Sequence, residues 1–520
     1  VSNWVALPIV VPLATSVVTL LLLRRIDLQR WVSLAGAAAL LGASLLLLAR
    51  VESRGAQVLQ ASAWESPFGI SLVADAMSAL MLVLTGVMAL MGVVYARGSL
   101  DEEREKFGFH PLLHAMLMGV CGAFLTGDLF NMFVWFEVML ISSFVLIALG
   151  GGKHQLEGAL KYVAINLFAS VVFLSALGLL YGATGTLNLA DLALKAESFP
   201  EPAFFTKVSM LLLVTFAVKA GLAPFFFWLP ASYHTPPTVI SAVFAGLLAK
   251  VGIYAVLRVF PLLFGQDPGF TIPVLQVIAA VTMLIGVFGA FAQTNFRRIL
   301  AFHSVSQMGY ILMGFTFGAA QGIAASVFFI LHHSVVKSNL FLISGYVRKA
   351  FGSEKMEDLG GLAKGSPWLA ATFVIAAFSL AGFPPLSGFL GKLALVKAGL
   401  AGPDGWLVGV SLFVSVFTLL SMLKIWLSAF WSPAPTGIDR VVLPQNAWMQ
   451  VPTVALAAGA VLLGVFARPV WQRSEAAAQA LLDRNTYISA VLPNAIVAGS
   501  PATGRVATNG AKSIQPEAIP

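Results

Sequence analysis

The sequence predicts an all-α integral membrane protein of about fourteen transmembrane helices, with two inverted five-helix repeats whose discontinuous members are helices 7 and 12. Three observations carry this reading. The 520-residue chain is 58% hydrophobic and 10% charged, with a mean hydropathy of +0.89; soluble domains carry about 25% charged residues. Apolar runs long enough to cross a hydrocarbon core of about 30 Å recur along it. Two of those runs share one kind of interruption, Ala220-Gly-Leu-Ala-Pro224 and Ala381-Gly-Phe-Pro-Pro385.

The runs are read as spans at 3–23, 31–49, 72–96, 109–126, 129–149, 159–183, 207–230, 237–262, 272–293, 298–318, 321–347, 367–399, 405–431 and 449–467. Residues 1–23 end at Arg24-Arg25 without a small-residue cleavage site, so they are taken as a first spanning helix rather than a signal peptide. Three helices in 1–108 precede the first repeat, 109–262, and the second, 272–431. A connector and last helix follow in 432–467, then a polar tail in 468–520 that reads as disordered from Gly499 onward. Mid-helix proline removes a hydrogen bond and clashes with the preceding turn. Pro224, Pro384 and Pro385 therefore mark the breaks, at the fourth helix of each repeat. Matched breaks in two halves are the sequence pointer to an inverted-repeat transporter.

Loops after the odd-numbered spans carry Arg24, Arg25, Arg30, Arg97, Arg104, Lys106, Lys153, Arg297, Arg298, Arg348, Lys349, Lys355, Lys364 and Arg440. Loops after the even-numbered spans carry Arg50, Arg54, Lys195, Lys207, Arg258 and Lys397. The positive-inside rule then puts both termini on the periplasmic or extracytoplasmic side. The net charge of +8 comes with no basic stretch interleaved with aromatics, which argues against nucleic acid. With Cys121 the single cysteine, there is no intrachain disulfide and no thiolate metal cluster.

The chemistry lies in lone ionisable residues inside apolar runs: Glu137, Lys219, Lys250, His332, His333, Lys337 and Lys392. A charge at the bilayer centre costs at least about 2.5–3.5 kcal/mol, and such residues usually mark an ion pathway. Glu137 stands roughly 15 Å into its helix, and Lys219 and Lys250 roughly 18–20 Å into theirs, which places all three near the midplane. A lone carboxylate in lipid would neutralise, and a lysine nearby would keep it ionised. Lys219, beside a break, is the natural partner of Glu137, either as a structural ion pair or as a moving one. The central depth of Lys250 disfavours snorkelling. His332 and His333 lack a third metal ligand at suitable spacing; each is a relay or a hydrogen-bonded packing residue. His333 and Lys337 share a helix face. His303 is an access residue or a polar cap, and Lys424 a further relay or exit site.

These residues together resemble the antiporter-like subunits shared by respiratory complex I and the Mrp-type cation/proton antiporters. The motifs are Phe136-Glu-Val-Met139, Val218-Lys-Ala-Gly-Leu-Ala-Pro-Phe225, Trp228-Leu-Pro-Ala-Ser-Tyr-His-Thr-Pro-Pro-Thr238 and Leu300-Ala-Phe-His-Ser-Val-Ser-Gln-Met-Gly-Tyr310. The run Leu331-His-His-Ser-Val-Val-Lys-Ser-Asn-Leu-Phe341 and Lys392 look most like the MrpD/PhaD-type member of the Mrp antiporters. The resemblance covers residues 1 to about 467. It implies a Glu137–Lys219 switch, a central Lys250, His and Lys relays in the eleventh helix, and an exit-side Lys392. It also implies work inside a hetero-oligomer in a bacterial inner membrane, exchanging sodium for protons. The competing readings are a proton-pumping subunit of a complex I-type or hydrogenase-type redox enzyme, and a scaffold whose buried charges merely pair. Without a nucleotide motif or cysteine cluster, no cofactor and no redox chemistry are expected of this chain.

Overall fold

The computed structural model describes residues 3–265, 267–434, 443 and 445–493. Arg440 and the segment from Gly499, both used above, lie outside the described residues. The first third comprises α1 (Leu7–Leu21), α2 (Ile26–Arg54), the strands β1 (Gln57–Gln60) and β2 (Ser71–Ala74), α3 (Ala76–Ser99), α4 (Glu102–Lys106), α5 (Phe109–Leu125) and α6 (Leu129–Ala148). Then come α7 (Lys153–Thr184), α8 (Leu189–Ser198), α9 (Pro202–Ala220), α10 (Trp228–Tyr233), α11 (Thr238–Leu263), α12 (Pro268–Ala292), α13 (Phe296–Thr316) and α14 (Ala320–Phe351). The chain continues with α15 (Leu362–Gly365), α16 (Pro367–Ala381), α17 (Ser387–Leu400), α18 (Gly405–Ile425), α19 (Ala447–Val465), α20 (Ala467–Leu482) and α21 (Arg484–Val491). The strands form one small antiparallel hairpin with Gln57 opposite Ala74.

Eleven helices among the described residues are long and apolar enough to cross a membrane. The apolar helices α5 and α16 are shorter. Helix α13 has 21 residues but carries Arg297, Arg298, His303 and Gln307, and is not among the eleven. Burial separates core from rim. The apolar window of α11 is 100% buried and that of α14 94%, against 33% for α1 and α2. The two inner helices pack on each other; α11 also packs on α9, and α14 on α13 and α17. The most polar spans are thus the most enclosed, as expected where polar groups must face protein rather than lipid.

Both expected interruptions are present. Helix α9 ends at Ala220 and the chain turns at Gly221, φ +66°, before α10. Helix α16 ends at Ala381 and turns at Gly382, φ +98°, before α17. The residue after each glycine donates to a carbonyl five residues back, Leu222 to Ala217 at 2.9 Å and Phe383 to Phe378 at 3.0 Å. That bond with a left-handed glycine is a Schellman ending. Glycine thus stops each helix, and Pro224, Pro384 and Pro385 lie in the links that follow.

Two readings need correction. Arg258 and Arg297, counted as loop charges, are buried side chains within α11 and α13. The region after 467, read only as a polar tail, begins with helices α20 and α21. Helix α20 lays Ser474, Ala477, Ala478 and Leu481 against α14 and α3. Its apolar residues recur at helical spacing but are mostly alanines, too small to register against the charged residues between them.

Candidate ion-translocation site

The buried ionisable residues form two groups. The first lies among α6, α7 and α9. Glu137, half-buried on α6, accepts a hydrogen bond from Ser170 Oγ on α7. Lys219, one residue before the end of α9, is buried, and its Nζ has no hydrogen-bond partner among the described residues. It stands 5.6 Å from the ring centroid of Phe136, the neighbour of Glu137. Lys219 lies within electrostatic reach of Glu137, yet the two form no ion pair among the described residues. The structure therefore brings the expected partners together in an open arrangement.

The second group runs through α11, α13, α14 and α17. Lys250 is buried at the middle of α11, and its Nζ donates back to the Ala245 carbonyl. His333 lies within electrostatic reach of Lys250, Lys337, His332 and His303. His303 is within reach of Lys337 and Lys392. His303, His333 and Lys337 are buried without hydrogen-bond partners among the described residues, and so are the amide of Gln307 and the hydroxyl of Ser334. His303 thus belongs to the centre of this group rather than to a surface cap. Buried polar groups are almost always paired, so this concentration of unpaired ones marks a place where protons and water have partners to exchange.

Lys392 closes the group at the second break. Its Nζ donates to Ala381 O at 3.0 Å and to Ser415 Oγ at 3.1 Å, and it lies 5.0 Å from the Tyr310 ring centroid. Ala381 O is at the negative end of α16, where an ammonium is favoured by the helix dipole. His332 reaches the other side of the break, Nδ1 to Ser387 Oγ at 2.9 Å. At the first break the freed carbonyl of Val218 is instead taken by the Trp228 indole at 2.8 Å. Lys424, by contrast, donates to Phe291 O at 3.1 Å and Gln293 O at 2.8 Å; these bonds cap the end of α12.

Glycine joins the two groups. A Cβ on Gly252 of α11 would collide with the Ala220 nitrogen and stand 2.6 Å from the Lys219 carbonyl carbon. Only a residue without a side chain lets α11 approach the α9 break so closely.

Sequence reasoning missed a buried ion pair on the same face of α11. Arg258 meets Asp75, the N-cap of α3, at 2.5 and 2.7 Å, with Ser78 and Tyr254 hydroxyls alongside. Lys250, Tyr254 and Arg258 are spaced four apart, so the signal was legible as one helical stripe. A further cluster, Arg30, Glu105 and His110, lies near the start of α5. Burial alone would raise the Glu105 carboxyl, but hydrogen bonds from His110 and Arg30 outweigh it and hold the group below its ordinary value. Among the described residues, no three His, Cys, Asp or Glu side chains are grouped to hold a metal ion.

A many-helix membrane bundle with two glycine-ended helix breaks and a buried Glu, Lys and His array defines an antiporter-like membrane subunit. Residues 126–418 match the family described as "NADH:quinone oxidoreductase/Mrp antiporter, TM". The chain is 43% identical to the MrpD-type subunit of the Na(+)/H(+) antiporter of Alkalihalophilus pseudofirmus, over 94% of this chain and 99% of the relative. It superposes with a TM-score of 0.88 on a chain of the Mrp complex from Dietzia, at 33% identity, covering 95% of this chain and 100% of that one. It matches a chain of an archaeal membrane-bound sulfane sulfur reductase with the same TM-score of 0.88, at 27% identity, covering 94% and 99%. The chain belongs to the MrpD/PhaD-like family of multisubunit Na+/H+ antiporter subunits, within the superfamily shared with complex I.

Proposed function

We propose that this chain is the proton-translocating subunit of a multisubunit monovalent cation (sodium)/proton antiporter. The route runs from Glu137 and Lys219 to Lys250, then His333 or Lys337 with His303, then Lys392, with His332 beside the second break. Lys424 is left out, because its hydrogen bonds are those of a helix cap. The observation that carries the reading is the run of buried, unpartnered Lys and His side chains in mutual electrostatic reach. Lysine-lined paths repel cations, so protons rather than sodium pass here, and sodium crosses elsewhere in the assembly. We further infer fourteen spans in two inverted repeats, 109–262 and 272–431, with both termini extracytoplasmic, and assembly with other membrane subunits. The glycine-ended breaks then act as hinges that vary the Glu137–Lys219 separation.

The test is exchange in inverted vesicles. Glu137→Gln and Lys219→Ala each abolish proton/cation exchange while the complex still assembles; wild-type exchange in either variant would end the reading. A redox-driven pump subunit is the second reading, favoured by the equal fold similarity to the sulfane sulfur reductase chain. Identifying the subunits that co-purify decides between them.

A further inference from the structure

A second polar feature lies away from the proton route. The end of α3, the start of α7, the α10–α11 turn, the end of α14 and the start of α19 enclose a cavity of about 280 Å³. Its charged lining is entirely basic: Arg104, Arg348 and Lys349. Three buried donors on its wall, Arg104 Nε, Ser99 Oγ and Thr235 Oγ1, have no hydrogen-bond partner among the described residues. The N-terminus of α11 at Thr238 opens into it as well, an end that favours anions. Neighbouring carboxylates offset part of this charge. Asp101 pairs with Arg104, while Glu354 is 4.0 Å from Arg348 and closer, at 2.6 Å, to Arg297. Lys349 donates to Gly98 O at 2.7 Å.

Arg104 also lines a second, apolar groove of about 510 Å³ formed by Phe107, Val145, Ala148 and Leu149, with Asp101 and Glu103 at its edge. Phe107 and Val145 are exposed on the outside of the bundle. A basic chamber with unpaired donors therefore continues, through one arginine, into an apolar channel on the outer surface. We propose that this composite site binds an anionic phospholipid, its phosphate among Arg104, Arg348, Lys349 and Thr235 and an acyl chain along Val145 and Ala148. Free phosphate would fill the chamber and leave the groove bare. A helix of a neighbouring subunit would cover the groove and leave the chamber's donors unpaired. Only an amphipathic anion satisfies both.

The test is native mass spectrometry of the purified complex, delipidated and then titrated with phosphatidylglycerol, phosphatidylcholine or inorganic phosphate. The wild type is expected to hold one phosphatidylglycerol more than the variants, with about a tenfold preference over phosphatidylcholine. The double variant Arg348→Gln/Lys349→Gln removes headgroup contacts, and Val145→Trp fills the groove without touching the chamber; both lose that one lipid. The intact-complex mass in the same spectrum shows that each variant assembles. Unchanged phosphatidylglycerol stoichiometry in both variants would overturn the proposal. So would equal uptake of phosphatidylcholine, displacement of the lipid by inorganic phosphate at equal concentration, or a subunit helix seated on Val145 in the assembled complex.

Discussion

At the residue scale, what distinguishes these lysines is what their ammonium groups touch. Lys250 has one backbone carbonyl, Lys337 and Lys219 have no partner among the described residues, and Lys392 holds the end of a helix. Lysine shifts to its neutral form when buried; arginine does not. Lys250→Arg therefore keeps the charge and loses the proton release. Both Lys250→Arg and Lys250→Ala are expected to lower exchange by at least about tenfold, a barrier rise of about 1.4 kcal/mol. Normal exchange in the arginine variant with loss in the alanine variant would mean that fixed charge is all the site requires. Lys392 makes a different forecast. A protonated glutamic acid there can still donate to Ala381 O, whereas its carboxylate is repelled by that carbonyl and by the negative helix end. Lys392→Glu should thus exceed Lys392→Ala in exchange, by a margin that widens as pH falls. Identical pH profiles of the two variants would remove proton donation at Lys392 from the mechanism.

At the element scale, the two broken helices repeat one device on different residues. Each ends in a Schellman turn at a glycine, and each frees a carbonyl that a side chain from beyond the break takes up: Trp228 for Val218, Lys392 for Ala381. The shared Ala-Gly pattern was readable in the sequence because glycine stops and mid-helix prolines have few other uses. The partners of the freed carbonyls were not readable, since both lie beyond a chain reversal whose angle no local pattern encodes. The open Glu137–Lys219 geometry was hidden for a similar reason: depth along a helix follows from residue count, but rotation about its axis depends on packing. Ser170, which takes the carboxylate instead, sits in α7 with nothing nearby in the sequence to single it out. Gly252 shows how tightly this packing is set. Adding one methyl group there forces α11 away from the α9 break, because the atoms it meets are backbone and cannot rotate aside. Gly252→Ala is expected to reduce exchange more than it reduces the amount of assembled complex. Full exchange in that variant would show that the α9–α11 approach is not part of the route.

At the scale of the whole molecule, the proton route is enclosed by helices that also carry a structural charge pair. Asp75 caps α3, Arg258 projects from α11, and Tyr487 of α21 lies 5.7 Å from the guanidinium. Helix α21 is further tied by Arg484 to Glu197 at 2.8 Å, and α20 by Arg473 to Glu52 at 2.5 Å. The segment that looked like a tail therefore straps the start of α3, the end of α11 and the outer helices together. Surface pairs such as Arg473–Glu52 contribute little, up to about 1 kcal/mol. The Asp75–Arg258 pair is different, because both side chains are buried. Removing one partner strands the other charge, at a cost of about 3–5 kcal/mol, while removing both spares most of that penalty. Arg258→Ala should then markedly lower the unfolding temperature of the purified complex, and the double variant Asp75→Ala/Arg258→Ala should recover much of the loss. Exchange per assembled complex should stay near wild type in the double variant, since the pair holds the wall of the route and carries no proton along it. A double variant that is as unstable as Arg258→Ala would show that packing of the arginine, not charge compensation, secures this end of the bundle. A stable double variant without exchange would instead place Asp75 on the proton route, one helical face beyond Lys250.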